Sequence, residues 1–424
     1  MPVKLLRNYF LALLLFTGIS VHAQSPQSDT LKLTLKQAEE QFLKNNLQLI
    51  AQRYNIDNAN AAVITAKLFP NPDFSFANGF YDTSSPNPFS EQAVSVSQLF
   101  TTAGKRNKNI QLAKIGVEQA KYQFFDLLRT LKFTLHTDFY TVYFQQQSAK
   151  VYNEEITSLA KTLTVFKEQY QKGNIAQKEV LRIQSQLYSL QTEYNSLISG
   201  IDTTESELKI LIRAPVSAYV DPVVNFDESN KQLVSSVPYQ RMLDSAYVNR
   251  YDLRYSKATL DYNNMNLKLQ KATAIPDITL SYNYDREGSF AQNAMSGGIA
   301  FSLPFFNRNQ GNIKQARIAI DQSNVQLQNQ QNQVESDVVT GYKNALRLEQ
   351  LYSSFDPKFK DDFTHLIQEV YINYEKRNLS MLEFLDFYDS YKTNTLQLNN
   401  LQLNRVLSLE QLNYVTGTPF FNQQ

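Results

Sequence analysis

Apolar residues recur along this chain with two clean periods. Ile156, Leu159, Leu163, Phe166 and Tyr170 step by three and four, and so do Val180, Ile183, Leu187, Leu190, Tyr194, Leu197 and Ile201. This is the a/d seam of a coiled coil. Gln171-Lys172-Gly173-Asn174 separates the two seams, and its glycine can take the positive φ of a tight turn. The pattern predicts two long helices folded back on each other as an antiparallel hairpin. The helix entering the hairpin, from about Gly104 to Tyr170, contains no proline and one interior glycine, Gly116. At about 1.5 Å per residue it forms a rod of roughly 100 Å. A rod of that length cannot bury itself in one globular core.

The second period is two. Pro276 to Tyr284 alternates apolar and polar residues, and a partner segment carries Ile299, Phe301 and Leu303. Earlier in the chain, Phe74 and Phe76 face a segment holding Val94 and Val96 between Ser95 and Ser97. Strands are expected at about 72–80, 93–100, 276–284 and 296–303, with loop tips at 82–92 and 285–292. Alternating segments of about ten residues mark membrane β-barrel strands.

The whole pattern occurs twice. Leu49, Pro72, Tyr170, Asn174 and Pro215 reappear as Leu253, Pro276, Tyr374, Asn378 and Pro419, each shifted by 204 (253 − 49 = 204). In the second copy the hairpin turn reads Glu375-Lys376-Arg377-Asn378, Arg405 replaces the seam residue Ile201, and the long helix meets Pro357. The Gln/Asn-rich stretch 324–333 falls inside a continuing helical pattern. The expected division is residues 1–23 as a signal peptide, 24–215 and 241–424 as structural repeats, and 216–240 as a linker.

The signal peptide is read from Lys4 and Arg7, the apolar run Phe10 to Val21 and the Val21-His22-Ala23 cleavage site. That run is shorter than the roughly 20 residues a membrane helix needs. The chain has no cysteine, hence no disulfide framework, and its formal net charge of +1 argues against a nucleic-acid partner. Three histidines and five methionines leave little capacity for metal. Open sheet edges are not tolerated in lipid, so four strands spanning a membrane must be completed by further copies of the chain.

These residues resemble the TolC-like outer-membrane efflux proteins, in the branch serving heavy-metal and multidrug pumps. The resemblance rests on the duplicated helix–hairpin unit and on Phe69-Pro70-Asn71-Pro72 and Ala274-Ile275-Pro276 before the first strand of each copy. It also rests on Leu303-Pro304-Phe305-Phe306-Asn307 followed by Gly311 and Ala316, and on Tyr170 with Gly173. It implies a mainly α fold with a small membrane β part. Duplicated coiled-coil hairpins and four strands per chain would complete a trimeric, 12-stranded β-barrel and a periplasmic α-helical barrel (three copies of four strands). It further implies an exit duct of a tripartite efflux or secretion system in the outer membrane of a Gram-negative bacterium. The partners would be a periplasmic adaptor, an inner-membrane pump and outer-membrane lipid. Family members often carry an acylated N-terminal cysteine; this sequence lacks one, so the barrel alone is expected to hold it.

The resemblance also implies site residues. Adaptor docking falls to the hairpin tips, at Tyr170, Gly173, Asn174, Tyr374, Arg377 and Asn378. The pore gate falls nine and twelve residues after the second motif tyrosine, at Glu383 and Asp386. Spaced by three, both carboxylates share one helix face, and in a trimer they would form two acidic rings of the kind that select cations. In the first copy the matching residues are Glu179 and Arg182, and Arg377 stands where the first turn has glycine.

Other candidates fail. Gly104-Lys105 lacks the remainder of a phosphate loop. Asp362, His365 and Glu369 read as a solvated helix face, and His136 stands alone in a helix. No nucleophile elbow is present, so no enzyme, cofactor or resident metal is expected. The competing reading is a periplasmic coiled-coil scaffold or adaptor without a pore, for which lipid-facing hairpins would have no use.

Overall fold

The computed structural model describes residues 30–79, 92–225, 233–287, 291–356, 358–376 and 378–421. The signal-peptide segment, most of the 82–92 tip and Arg377 lie outside them. In chain order the elements are β1 (Thr30–Thr34), α1 (Leu35–Asn45), α2 (Leu47–Lys67), β2 (Asp73–Asn78) and β3 (Gln92–Phe100). Then come α3 (Lys105–Gln171), α4 (Gln177–Ile212), β4 (Tyr219–Val223), α5 (Tyr239–Asn249) and α6 (Tyr251–Thr273). The chain closes with β5 (Ile278–Glu287), β6 (Gln292–Ala300), α7 (Gln310–Ser353), α8 (Phe359–Glu375) and α9 (Met381–Thr416).

The shift of 204 relates element bounds as well as residues. It carries α1 onto α5 (35 + 204 = 239, 45 + 204 = 249) and α4 onto α9 (177 + 204 = 381, 212 + 204 = 416). The 67 residues of α3 form one uninterrupted helix, about 100 Å long. Its counterpart is two helices, α7 and α8, with the break at 354–358 around Pro357. Pro357 itself lies outside the described residues; in sequence it marks the point where a helix cannot run on, since proline lacks the N–H a continuing helix needs. The Gln/Asn-rich stretch lies within α7.

Local chemistry sets the joints. Asn46 separates α1 from α2: its side chain accepts from Leu49 N–H and donates to the Leu211 carbonyl at 3.0 Å. The corresponding Arg250 is buried and forms ion pairs with Asp252 and Asp337. Helix α9 ends at Gly417, φ +67°, where a Cβ would approach the Asn249 carbonyl carbon at 3.1 Å. Its counterpart Arg213 adopts the same left-handed conformation at the end of α4, φ 56°.

Three apolar clusters hold the helices. One joins α1, β1, β4 and the middle of α3 through Phe42, Leu135, Phe139 and Leu208. The second joins α5, α7 and α9 through Met242, Val334, Val338 and Leu412. The third, nearest the hairpin tips, joins the seam residues Leu159, Leu163, Val180, Ile183, Leu187 and Leu190 to Val370, Phe384 and Tyr388 of the second hairpin. The coiled-coil seam is therefore buried between the two hairpins. Arg405 keeps its seam position by laying its guanidinium over the Tyr352 ring at 4.4 Å.

Strands β2, β3, β5 and β6 form one antiparallel sheet in that order, leaving β2 and β6 as edges. The register sorts the side chains by face. Phe74, Val96 and Tyr282 align across the sheet, as do Phe76, Val94, Tyr284 and Met295. On the other face Ser75, Ser95, Asn283 and Ser296 align. Phe74, Phe76, Val96, Leu280, Tyr282, Met295 and Ile299 are all exposed in the single chain.

Two sequence expectations are corrected. The region 216–240 is not simply a linker, because β4 pairs in parallel with β1 and α5 begins at Tyr239. The last two strands run 278–287 and 292–300 rather than 276–284 and 296–303. Just before β5 the chain is tied to the start of α3 instead: the Asp277 carboxylate accepts from Thr102 N–H at 2.8 Å and from Lys105 Nζ at 2.7 Å, and the Pro276 carbonyl accepts from the Thr102 hydroxyl at 2.6 Å. With the start of β5 fixed there, β6 has no partner strand beyond Ala300.

Candidate functional site

The first hairpin tip is a complete helix terminator. Gly173 has φ +75°, Gly173 N–H donates to the Tyr170 carbonyl at 2.9 Å, and Asn174 N–H donates to the Gln169 carbonyl at 2.9 Å. These two bonds satisfy carbonyls the helix end would leave orphaned, and glycine carries the positive φ without a Cβ penalty. The Asn174 side chain adds a bond to Gln169 Oε1 at 2.7 Å. At the second tip Asn378 repeats this, donating to the Asn373 carbonyl at 2.9 Å and from its side chain to Asn373 Oδ1 at 3.3 Å.

The two motif tyrosines differ. Tyr170 is exposed at the end of α3. Tyr374 stacks on Phe384, with ring centroids 4.2 Å apart and planes 11° apart, and faces Phe166 on its other side at 6.0 Å. Its hydroxyl is buried without a hydrogen-bond partner among the described residues. Burial, with the nearby Glu179 charge, raises its pKa. Tyr374 thus packs inside the tip instead of presenting its ring on the surface.

Glu383 and Asp386 lie on the first two turns of α9, both exposed. Glu383 also has a local partner. Ser380 is the N-cap of α9, its Oγ accepts from Glu383 N–H at 3.3 Å, and Glu383 Oε2 accepts from Ser380 N–H at 2.9 Å. This is a capping box. The hydrogen bonds from Ser380 hold the Glu383 carboxyl below its usual range. The first copy has Ala176 at the N-cap of α4 and no such bond. The structure therefore brings Glu383 and Asp386 to one exposed face beside a tip, and places Tyr374 beneath it.

Sequence reasoning missed two buried polar sites. His136 is not alone: its Nδ1 lies 2.8 Å from Glu410 Oε2 and its Nε2 2.5 Å from Glu39 Oε1. Burial would lower its pKa, but the bonds to the two carboxylates outweigh it and raise it. Glu155 is buried with both carboxylate oxygens unpartnered among the described residues. Burial pushes its pKa up to about 8, the Lys392 charge opposes this, and Asp389, Glu193 and Glu154 add to it. No sequence signal marks either, since Glu39 and Glu410 around His136, and Lys392, Asp389 and Glu193 around Glu155, lie on other helices. No helix among the described residues is long and apolar enough to cross a membrane.

Residues 38–212 and 242–418 match the family described as outer membrane efflux protein. The chain belongs to this family. It is an outer-membrane efflux channel, reaching from that membrane into the periplasm. It is 21% identical over 300 residues to the cobalt-zinc-cadmium resistance protein CzcC of Cupriavidus metallidurans, covering 71% of this chain and 70% of that one. Among solved structures, the Campylobacter jejuni CmeC outer membrane channel superposes with a TM-score of 0.75 at 15% identity, covering 92% of this chain and 86% of that one. Vibrio cholerae VceC gives 0.71 at 15% identity, covering 91% and 97%. Like them, this efflux protein has long helices standing on a small sheet.

Proposed function

We propose that three copies of this chain join edge to edge into one exit duct. The observation that carries this is the four-stranded sheet with two unpaired edges and one largely apolar face, interrupted by Gln98. In hydrocarbon each open edge would leave backbone N–H and C=O groups unsatisfied, at several kcal/mol apiece. Pairing β2 of one copy with β6 of the next removes every edge, and three copies of four strands close a 12-stranded barrel. The Ser75–Ser95–Asn283–Ser296 face then lines a polar lumen. The helices continue the lumen into the periplasm.

At the far end the hairpin tips dock a periplasmic adaptor, which couples the duct to an inner-membrane pump. Tyr170, Gly173 and Asn174 form one docking surface, and Asn378, with Arg377 beside it in sequence, the other. Glu383 and Asp386 face the pore from three copies and form two acidic rings that gate it and favour cations. The pump chooses the cargo, and the duct follows. A pore-free scaffold would have no use for the apolar sheet face.

The chain has no cysteine, so introduced ones report without interference. Ser75→Cys on β2 combined with Ser296→Cys on β6 puts one thiol on each open edge. Oxidation in the membrane should yield covalent dimers and trimers. A product that stays monomeric under every oxidant, from inserted protein, would sink the closed-barrel arrangement.

A further inference from the structure

All four strands of the sheet start or finish at the end nearest the helices, at Asp73, Phe100, Ile278 and Ala300. Just beyond that line the chain exposes a band of large apolar side chains: Leu68 and Phe69, Ile275, and Phe301, Leu303, Phe305 and Phe306. Phe306 is 96% exposed, more than any other large apolar residue described. Folding gives no reason to leave it so. The band is continuous with the apolar sheet face, which membership in an outer-membrane family places against lipid.

Cations accompany it. Lys67 and Lys271 occupy corresponding positions in the two repeats (67 + 204 = 271), in the last turns of α2 and α6, with exposed side chains. Arg308 follows Phe306 by two residues, is exposed, and donates from Nε to the Pro304 carbonyl at 3.2 Å. Arg106 stacks its guanidinium on Phe69 at 4.0 Å and donates to the Lys67 carbonyl at 3.0 Å. None of these four cations is in an ion pair among the described residues. The adjacent acid Asp277 is already paired with Lys105 at 2.7 Å. Asp73 remains as the exposed counter-charge at this rim. The rim thus combines unburied aromatic rings with surplus positive charge. Rings seat at the boundary between acyl chains and headgroups, and Lys and Arg reach from there to phosphate.

We propose that this rim is a collar for anionic phospholipid of the periplasmic leaflet. Phe305 and Phe306 sit among the upper acyl carbons, and Lys67, Lys271 and Arg308 hold headgroup phosphates. The cations attract an anionic headgroup more than a zwitterionic one, and the attraction is screened by salt. The collar sets the depth of the barrel in a chain without a cysteine to acylate. It rests on the reading that the apolar sheet face meets lipid.

The chain has no tryptophan, so single replacements give clean fluorescence. The full-length assembly would be reconstituted in phosphatidylcholine vesicles, with and without phosphatidylglycerol. Nitroxide quenchers would be placed either on the headgroup or deep on the acyl chain. Phe306→Trp should be quenched chiefly by the headgroup label, and Tyr282→Trp chiefly by the deep label. A quenched Tyr282→Trp with an unquenched Phe306→Trp overturns the collar and leaves the channel standing; the rim is then covered by protein, a second copy included. Loss of quenching at both positions overturns the lipid-face reading itself. For the charge, phosphatidylglycerol should raise the unfolding temperature of the wild type at low salt. The triple variant Lys67→Ala, Lys271→Ala, Arg308→Ala should lose that rise while still inserting. Equal unfolding temperatures of the wild type in both lipids would overturn the anionic preference.

Discussion

Glu383 accepts a hydrogen bond from the Ser380 backbone N–H at 2.9 Å. The residue proposed for the gate is thereby also the closing half of a capping box. Charge and cap are separable, because glutamine at the third helical position can cap as glutamate does. Glu383→Gln with Asp386→Asn should therefore lower cation selectivity and weaken block by polyvalent cations in planar bilayers, with α9 and the tip intact. Glu383→Ala with Asp386→Ala should do the same and also loosen the start of α9. Glu179→Gln should change selectivity less, since Arg182 stands where the second copy has Asp386. Unchanged selectivity and block in the Gln/Asn variant would show that these carboxylates are a solvated helix face.

The turn at Gly173 offers a second test. A Cβ there meets nothing within 4 Å, so substitution strains only the backbone, at φ +75°. Gly173→Val should cost on the order of 1 kcal/mol or more locally. Export should fall in cells deleted for the native gene, while membrane insertion and assembly persist. Export at the wild-type level would count against docking at this tip.

Much of this architecture was legible in the sequence. The seams were visible because apolar side chains at a/d spacing are what two packed helices need, and Leu159, Leu163, Val180, Ile183, Leu187 and Leu190 are buried between the hairpins. The glycine turn was visible because few other residues accept its φ. The β1–β4 ladder was not, since it pairs residues about 190 positions apart and β4 contains Pro222. The end of β6 was misplaced because Phe301 and Leu303 continue the alternation past the last available partner. His136 and Glu155 were illegible for one reason: each is defined by residues on other helices, and a single helix carries no trace of them. The capping role of Glu383 was hidden as well, because it depends on how Ser380 turns into α9.

Glu155 makes stability depend on pH. Its folded pKa, about 8, stands above the ordinary 4.5. Between those values the folded chain holds a proton that the unfolded chain releases, so stability falls as pH rises from about 4.5 to 8. Each unit of difference corresponds to about 1.4 kcal/mol. Glu155→Gln should flatten this slope, raising the unfolding temperature relative to wild type at pH 8 and changing it little near pH 4.5. Parallel wild-type and variant curves across that range would refute the buried-acid assignment.

His136 works with the opposite group type. Its folded pKa is raised by Glu39 and Glu410. The stabilisation is fully present below the unfolded value of about 6.5 and is lost as pH rises through the folded pKa. His136→Gln should be less stable than wild type below pH 6.5, with the gap narrowing in alkaline solution. Thermal unfolding at several pH values measures this, and a gap that widens with pH would reverse the assignment.

The central claim is that one chain supplies a third of a closed duct. Native mass spectrometry of the purified protein released from detergent tests it most directly. The expected result is a dominant species of three chains, resistant to dilution because each interface is a β-ladder joined to packed helices. A folded, stable monomer carrying the four-stranded sheet with both edges open would contradict it.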